Sequence, residues 1–125
     1  MTGLKVDVKV CCMASIDEAR LAARLGASAI GLVGDMPSGP GVIGAQAAAK
    51  IAREAPTGLD TFLLTSGERA ADIANELAVC SASTVQIVRH IDPEEYPALI
   101  EAVPQVRRVQ AVSYTHLTLP TKRIV

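Results

Sequence analysis

The segment Val6-Asp-Val-Lys-Val-Cys-Cys-Met-Ala-Ser15 decides the fold that we expect for the rest of the chain. Its three valines alternate with an aspartate, a lysine and a cysteine, and this period of two predicts a β-strand with one apolar and one polar face. Ser15 and Glu18 have the spacing of a capping box, which predicts that a helix starts directly after the strand. The strand therefore carries Cys11 to a strand-to-helix junction, where parallel α/β folds build their sites.

The rest of the sequence repeats this unit of one strand and one helix. Short apolar runs predict strands, and alanine-rich or capped segments predict helices. The predicted strands cover residues 29–33, 61–65, 84–88 and 106–112, and the predicted helices cover residues 17–26, 46–55 and 69–79, with a fourth starting at 92–95. Such alternation predicts a parallel sheet with right-handed crossovers.

Polar residues and a glycine mark several of the predicted helix ends. Gly26 stands where a glycine commonly follows the end of a helix. Thr65 and Glu68 repeat the capping-box spacing before the third helix. Asp92 precedes a proline and two acidic residues, which is a typical helix start with negative charge near the positive end of the dipole.

Two arrangements of this sheet compete, an open doubly wound sheet and part of an eight-stranded barrel. Asp7 and Lys9 share one face of the first strand. Helices cover both faces of an open sheet, where charges are costly, whereas the inner face of a barrel can pair them beside a polar ligand. We therefore favour an α/β chain in which residues 1–112 form part of a TIM (β/α)8 barrel, with about five parallel strands and four intervening helices.

The composition excludes several classes of function. The 125 residues carry a net charge of −1 and include two tyrosines, one phenylalanine and no tryptophan, which argues against partners such as nucleic acid or an anionic membrane. No signal peptide or apolar stretch of membrane-spanning length is visible. Three cysteines, two of them adjacent, fit neither a disulfide framework nor a zinc site. We therefore expect a cytoplasmic protein without a bound metal.

The sequence changes character at about Ser113. Residues 113–125 bring three threonines, and no helix with an apolar stripe follows the fifth predicted strand. This segment resembles the translated read-through of sequencing adapter, so we expect it to be a non-native tail. A short C-terminal strand is the alternative. A complete barrel needs about 200 residues or more, so the chain is expected to be the N-terminal part of one.

The segment Lys9-Val-Cys-Cys-Met-Ala-Ser15 resembles the end of the first strand in the phosphoribosylanthranilate isomerase family, a Lys-Ile-Cys-Gly-Met-Thr-like motif. Residues 26–33, Gly-Ala-Ser-Ala-Ile-Gly-Leu-Val, resemble the second strand of that family. Thr-Val-Gln-Ile at residues 84–87 resembles its fourth strand. The resemblance covers about residues 5–112, roughly the first half to two-thirds of the family's barrel.

The resemblance implies an isomerase of tryptophan biosynthesis that converts an aminoaldose to an aminoketose without a cofactor. Its substrate would be a small phosphorylated sugar. In this family a general acid opens the ribose ring, and the first-strand cysteine, here Cys11, removes a proton from the carbon beside the imine. A thiolate near a cation is a competent base, and Lys9 shares the strand face of Cys11. Without the resemblance, a cysteine at a strand end is more often a small core residue.

The sequence departs from the family pattern at several positions. Cys12 replaces the glycine that follows the catalytic cysteine in the family. Pro40 replaces the arginine that binds the anthranilate carboxylate, and Val88 replaces a histidine. The general acid on the sixth strand and the phosphate-binding loops after the seventh and eighth strands have no counterpart before the tail. We therefore expect the chain as given to be inactive and its parent to be a divergent relative with another substrate. A non-catalytic ligand-binding or regulatory relative on the same scaffold is the alternative.

Other polar residues follow the predicted strands and are expected to converge near Cys11; they are Asp35, Ser66, Arg89 and His90. Asp35 and Arg89 are candidate substrate contacts beside Lys9, although a solvated loop acid and a surface basic pair are the ordinary interpretations. The glycine-rich loop at residues 34–41 lacks the signatures of nucleotide-binding loops. A flavodoxin-like receiver is a weaker alternative, since it needs paired acids after the first strand, where Cys11 and Cys12 stand.

Overall fold

The computed structural model describes residues 6–34 and 42–112. Positions Asp35 and Pro40 and the segment from Ser113 onward lie outside the described residues, so the predictions about them remain untested. The described elements alternate along the chain, as the sequence predicts. They are β1 (Lys9–Val10), α1 (Ile16–Arg24), β2 (Ala29–Val33), α2 (Ala45–Glu54), β3 (Asp60–Thr65), α3 (Ala70–Val79), β4 (Thr84–Ile87), α4 (Glu95–Ala102) and β5 (Arg107–Gln110).

The five strands form one parallel sheet in which spatial order equals sequence order, from β1 to β5. A doubly wound sheet would reverse its strand order at a switch point, and this sheet does not. Neighbouring helices pack against each other in the same order, α1 on α2, α2 on α3 and α3 on α4. The architecture is therefore that of a partial (β/α)8 barrel, and the prediction of a barrel is confirmed.

The two faces of the sheet differ in burial and in chemistry. Along β3, Thr61, Leu63 and Thr65 are buried under the helices, whereas the alternate residues are half-buried. We call the second side the inner face, because in a barrel the helices lie outside. The register places on it Lys9, Ala29, Gly31, Val33, Asp60, Phe62, Leu64, Thr84, Gln86, Arg107 and Val109.

The helix-facing side holds the core. Its largest fully buried side chains come from the strands and from helices α3 and α4; they include Ile30, Leu32, Ile73, Val85, Ile87 and Leu99. No described helix is long and apolar enough to cross a membrane. The apolar runs that predicted the strands are thus explained by burial under the helices.

The first predicted helix start is confirmed in detail. Ser15 Oγ accepts a hydrogen bond from the N–H of Glu18 at 3.2 Å, and the Glu18 carboxylate accepts one from the N–H of Ala14 at 2.7 Å. Gly26 follows the end of α1 with φ of +104°, a conformation that glycine adopts without steric cost. These local contacts fix the junction that follows Cys11.

The second predicted capping box is wrong, because tertiary contacts use its residues. Thr65 is fully buried; its hydroxyl donates to Glu76 on α3 and accepts from the N–H of Gly67 at 2.9 Å. Helix α3 begins later, and the N–H of Ala70 donates to the Glu95 carboxylate of α4 at 2.7 Å. A side chain from another helix therefore supplies the cap.

The two outer strands are shorter than the sequence suggests. Strand β1 has two residues, and Val6, at the start of the predicted strand, is 73% exposed. Strand β5 ends at Gln110 rather than at residue 112. Within the described residues each of these strands has one hydrogen-bonded neighbour, so regular pairing on its other side is missing.

Candidate active site

Cys11 lies at the carboxyl end of β1, on the inner face. Regular pairing with β2 ends at Val10 and resumes where the N–H of Met13 donates to the carbonyl oxygen of Gly31 at 3.1 Å. A Cβ built on Gly31 would lie 2.6 Å from the Cys11 sulfur, so the thiol covers the place where β2 carries no side chain. The half-buried Cys11 sulfur thus faces the interior and not the helices, as the sequence predicts.

Cys12 is exposed and has a different environment from Cys11. Its φ of +62° is in the left-handed region, which explains why a glycine suits this position. It lines an apolar hollow of about 410 Å³ beside β1 and α1. Partial desolvation raises the pKa of its thiol above the ordinary 9.0; the charge of Cys11 and a hydrogen bond with it raise this pKa further, and Lys9 lowers it. The thiolate of Cys12 is therefore disfavoured.

Lys9 crosses the inner face instead of pairing with Asp7. Its ammonium donates to the side-chain oxygen of Gln86 on β4 at 2.5 Å and lies 4.9 Å from the centre of the Phe62 ring on β3. Among the described residues no carboxylate forms a salt bridge with it. A partly buried ammonium with an amide and an aromatic ring as partners keeps its charge available to an anionic ligand.

Gln86 is the inner-face residue that the sequence reasoning overlooked. The strand pattern alone gives Gln86 no role, yet the β3–β4 register pairs it with Leu64, and its side chain points to the inner face. The inward direction of Gln86 could have been inferred from the sequence, because this residue stands between two apolar residues that are buried under the helices. Its partner Lys9, 77 residues away, appears only once the strands are aligned.

An ion pair lies at the amino-terminal end of the inner face. Arg107 on β5 donates to Asp60 on β3 at 2.7 Å. With Lys9, Phe62 and Asp7 they line a cavity of about 280 Å³. Asp60 and Arg107 are the first residues of their strands, so the ion pair lies at the end opposite the Cys11 rim. Barrel enzymes place their chemistry at the carboxyl ends of the strands, not at this end.

The remaining candidate residues lie at the rim, and most are engaged elsewhere. Arg89 donates to Glu68 at 3.2 Å, with both side chains about half exposed, so this candidate substrate contact is already paired. Val88 is 38% exposed, so an apolar side chain lies at the rim. His90 is exposed and Ser66 is half-buried. Of the two candidate substrate contacts in the described residues, Lys9 lies with Cys11 on the inner face and Arg89 lies at the rim.

No group of three or more metal-binding side chains forms among residues 6–34 and 42–112. The three cysteines lie in the described residues and form no disulfide bond, and Cys80 is buried at the end of α3. Burial raises the pKa of the Cys80 thiol from 9.0 to about 11, and the neighbouring Glu76 carboxylate contributes. Cys80 is thus a core residue, whereas Cys11 is half-buried on the inner face.

The fold has many solved counterparts. The phosphoribosylanthranilate isomerase of Pyrococcus furiosus superposes with a TM-score of 0.82 at 19% identity, over 94% of this chain and 56% of that one. The enzyme of Thermococcus kodakaraensis gives a TM-score of 0.80 at 21% identity, over 94% and 54%. The chain has the fold of about half a phosphoribosylanthranilate isomerase. No protein-family model and no curated protein sequence matches it.

The chain spans about half the length of these solved structures. A further phosphoribosylanthranilate isomerase, superposed with a TM-score of 0.76 at 22% identity over 86% of this chain and 53% of that one, was solved in complex with reduced 1-(o-carboxyphenylamino)-1-deoxyribulose 5-phosphate. At these identities the similarity shows the fold, and the chemistry has to be argued from the residues of this chain.

Proposed function

We propose that residues 6–112 are the first strand–helix units of an isomerase that converts a phosphorylated aminoaldose to an aminoketose, as in phosphoribosylanthranilate isomerases. The observation that carries the proposal is the position of Cys11: its sulfur lies on the inner face at the carboxyl end of β1, against Gly31. This is the end of a barrel strand at which (β/α)8 enzymes hold their catalytic groups. The motif around Cys11 and the fold support the same assignment.

In the proposed reaction Cys11 is the general base. An acid protonates the ribose ring oxygen and opens the ring to an imine, after which the Cys11 thiolate removes a proton from the adjacent carbon to give the enol-amine, which tautomerises to the ketone. A positioned base of this kind contributes about 10²–10⁴-fold to the rate. Lys9 is proposed to attract the anionic substrate, because its ammonium is held by Gln86 and Phe62 and not by a carboxylate.

The chain as given is proposed to be inactive. No described acid takes the place of the general acid: Glu68 is paired with Arg89 at the rim, and Asp60 with Arg107 at the opposite end of the strands. The strand–helix units beyond residue 112 would have to supply the acid and the phosphate contacts. Activity is therefore expected of a longer reading frame that includes these residues.

The test uses the reading frame at the source locus, extended past residue 112 and expressed in a tryptophan auxotroph that lacks the isomerase. We expect growth with the extended frame and with its Cys12→Gly variant, and no growth with Cys11→Ser or with the 125-residue chain. Cys12→Gly is the matched control because it changes the neighbouring thiol to the residue that its φ favours. Growth with Cys11→Ser would refute the assignment of the base.

A non-catalytic ligand-binding relative is the second candidate, and Val88 favours it. An apolar side chain stands at the rim where the family has a histidine, so one polar contact of the family's site is missing. An extended frame that binds a sugar phosphate in calorimetry but lacks an aspartate at the end of its sixth strand would support this candidate.

A further inference from the structure

The backbone conformation at position 31 does not require a glycine. The described glycines with positive φ are Gly26, Gly44 and Gly58, so Gly31 has a conformation that other residues adopt. It lies in the middle of β2, and its neighbours on the inner face, Ala29 and Val33, both carry side chains. The absence of a side chain at position 31 therefore needs a steric explanation.

The neighbouring strand gives that explanation. A Cβ on Gly31 would lie 2.6 Å from the Cys11 sulfur, 3.2 Å from its Cα and 3.3 Å from its Cβ. Ordinary contacts between such atoms are about 3.5–4.0 Å, so the contact to sulfur is too short by roughly 1 Å. Because the Cys11 side chain has one rotatable bond, the thiol must move to another rotamer or the strands must separate.

We propose that Gly31 is a positioning residue. Its lack of a side chain leaves a space on β2, here called the seat, in which the Cys11 sulfur lies, and this space fixes the direction of the thiol at the carboxyl end of β1. The role in catalysis rests on the proposed function, whereas the seat itself is a property of this chain. A side chain at position 31 would turn the thiol away from the site above the strand ends, and the base would lose its alignment with the substrate carbon.

Thiol reactivity of the 125-residue chain tests the seat directly. Cys11 alkylation by iodoacetamide is followed by peptide mass spectrometry across a pH series in a Cys12→Gly background, in which Cys11 is the only thiol of its peptide. We expect Gly31→Ala to change the Cys11 alkylation rate by about fivefold or more and to shift its pH midpoint. The matched control is Gly34→Ala, whose Cβ would make an ordinary 3.5 Å contact with Leu63, and it should leave both unchanged within about twofold. Equal rates in the two variants would overturn the proposal.

A double-mutant cycle keeps the test valid if Gly31→Ala folds poorly. We expect Gly31→Ala to lower the folding equilibrium constant by about 30-fold in the presence of Cys11 and by less than about fivefold in a Cys11→Ala background, because the shortest contact is to the sulfur. Equal losses in both backgrounds would contradict the seat.

The extended frame separates this proposal from the proposed function. If Cys11 is the base and Gly31 aligns it, Gly31→Ala should lower kcat more than it changes KM and shift the pH profile of kcat. If Cys11→Ser leaves activity intact while the alkylation result stands, the proposed function fails and the seat remains. An unchanged kcat and pH profile in Gly31→Ala, with Cys11→Ser inactive, would remove the positioning role alone.

Discussion

The two faces of the same sheet obey different physical rules. The helix-facing side carries Ile30, Leu32 and Val85, each with no measurable exposure, and no buried side-chain polar atom in the described residues lacks a hydrogen-bond partner. The inner face carries a lysine, a thiol and an ion pair, all partly exposed. The comparison teaches that the first face specifies the fold by apolar burial, whereas the second tolerates the charged groups that chemistry requires.

The largest effect is expected on the helix-facing side. Leu32→Ala removes a fully buried side chain from the core and should lower the free energy of unfolding by about 3 kcal/mol, since it leaves a cavity under the helices. Urea unfolding followed by circular dichroism measures this loss. Val109→Ala on the inner face, where the side chain is 39% exposed, should cost less than about 1 kcal/mol. Similar losses in both variants would contradict the difference between the faces.

The buried thiol of Cys80 should make the free energy of unfolding decrease as the pH rises through the alkaline range. The pKa of Cys80 is about 11 in the folded chain against 9.0 when unfolded, so the unfolded state releases this proton first. The contribution of Cys80 is therefore fully present below pH 9 and is lost between pH 9 and 11, by roughly 1 kcal/mol at pH 10. Urea unfolding at pH 7.5 and pH 10 measures it, and Cys80→Ala should remove this part of the pH dependence. A wild-type slope unchanged in Cys80→Ala would argue against it.

The backbone after Cys11 should respond in opposite directions to two substitutions. Cys12→Gly relieves a left-handed residue and should raise the free energy of unfolding by about 0.5 kcal/mol, after the entropy cost of glycine. Gly26→Ala places a side chain at φ of +104° and should lower it by about 1 kcal/mol. Thermal unfolding of the two variants measures both changes. A loss of stability in Cys12→Gly would show that this φ carries no strain.

The smallest effect is expected for the ion pair of the inner face. Arg107 and Asp60 are 63% and 46% exposed, so solvent and salt screen their attraction. Arg107→Gln should lower the free energy of unfolding by less than about 0.5 kcal/mol, and by less still in 1 M NaCl. A loss above about 2 kcal/mol in urea unfolding would mean that this pair supports the fold.

The sequence predicted the architecture well because burial repeats along it. Residues 29–33 were predicted as a strand and form β2 with the same bounds, since every residue of that run is buried. The capping box at Thr65 failed because the Thr65 hydroxyl donates to Glu76 later in α3 and Glu95 of α4 accepts from the N–H of Ala70. The local spacing of Thr65 and Glu68 contains no information about these contacts. The predicted first strand was too long, because a period-two pattern cannot show where regular pairing with a neighbouring strand begins and ends.

The candidate site was predictable only in part. The place of Cys11 followed from alternation and from the strand-to-helix junction, and the motif supplied its proposed role. The contacts of Gln86 with Lys9 and of Gly31 with Cys11 could not be predicted, because these residues are distant in sequence and meet only through the strand register. Arg89 was assigned to the ligand, yet Glu68 from the neighbouring rim segment binds it. Side chains at a rim are set by tertiary contacts that a single strand pattern does not contain.

Steady-state turnover of N-(5'-phosphoribosyl)anthranilate by the extended frame tests the central claim most directly. If Cys11 is the base, Cys11→Ser should lower kcat by about 10²–10⁴-fold, and Cys12→Gly should keep it within about twofold of the parent. A Cys11→Ser enzyme with the kcat of its parent would contradict the account.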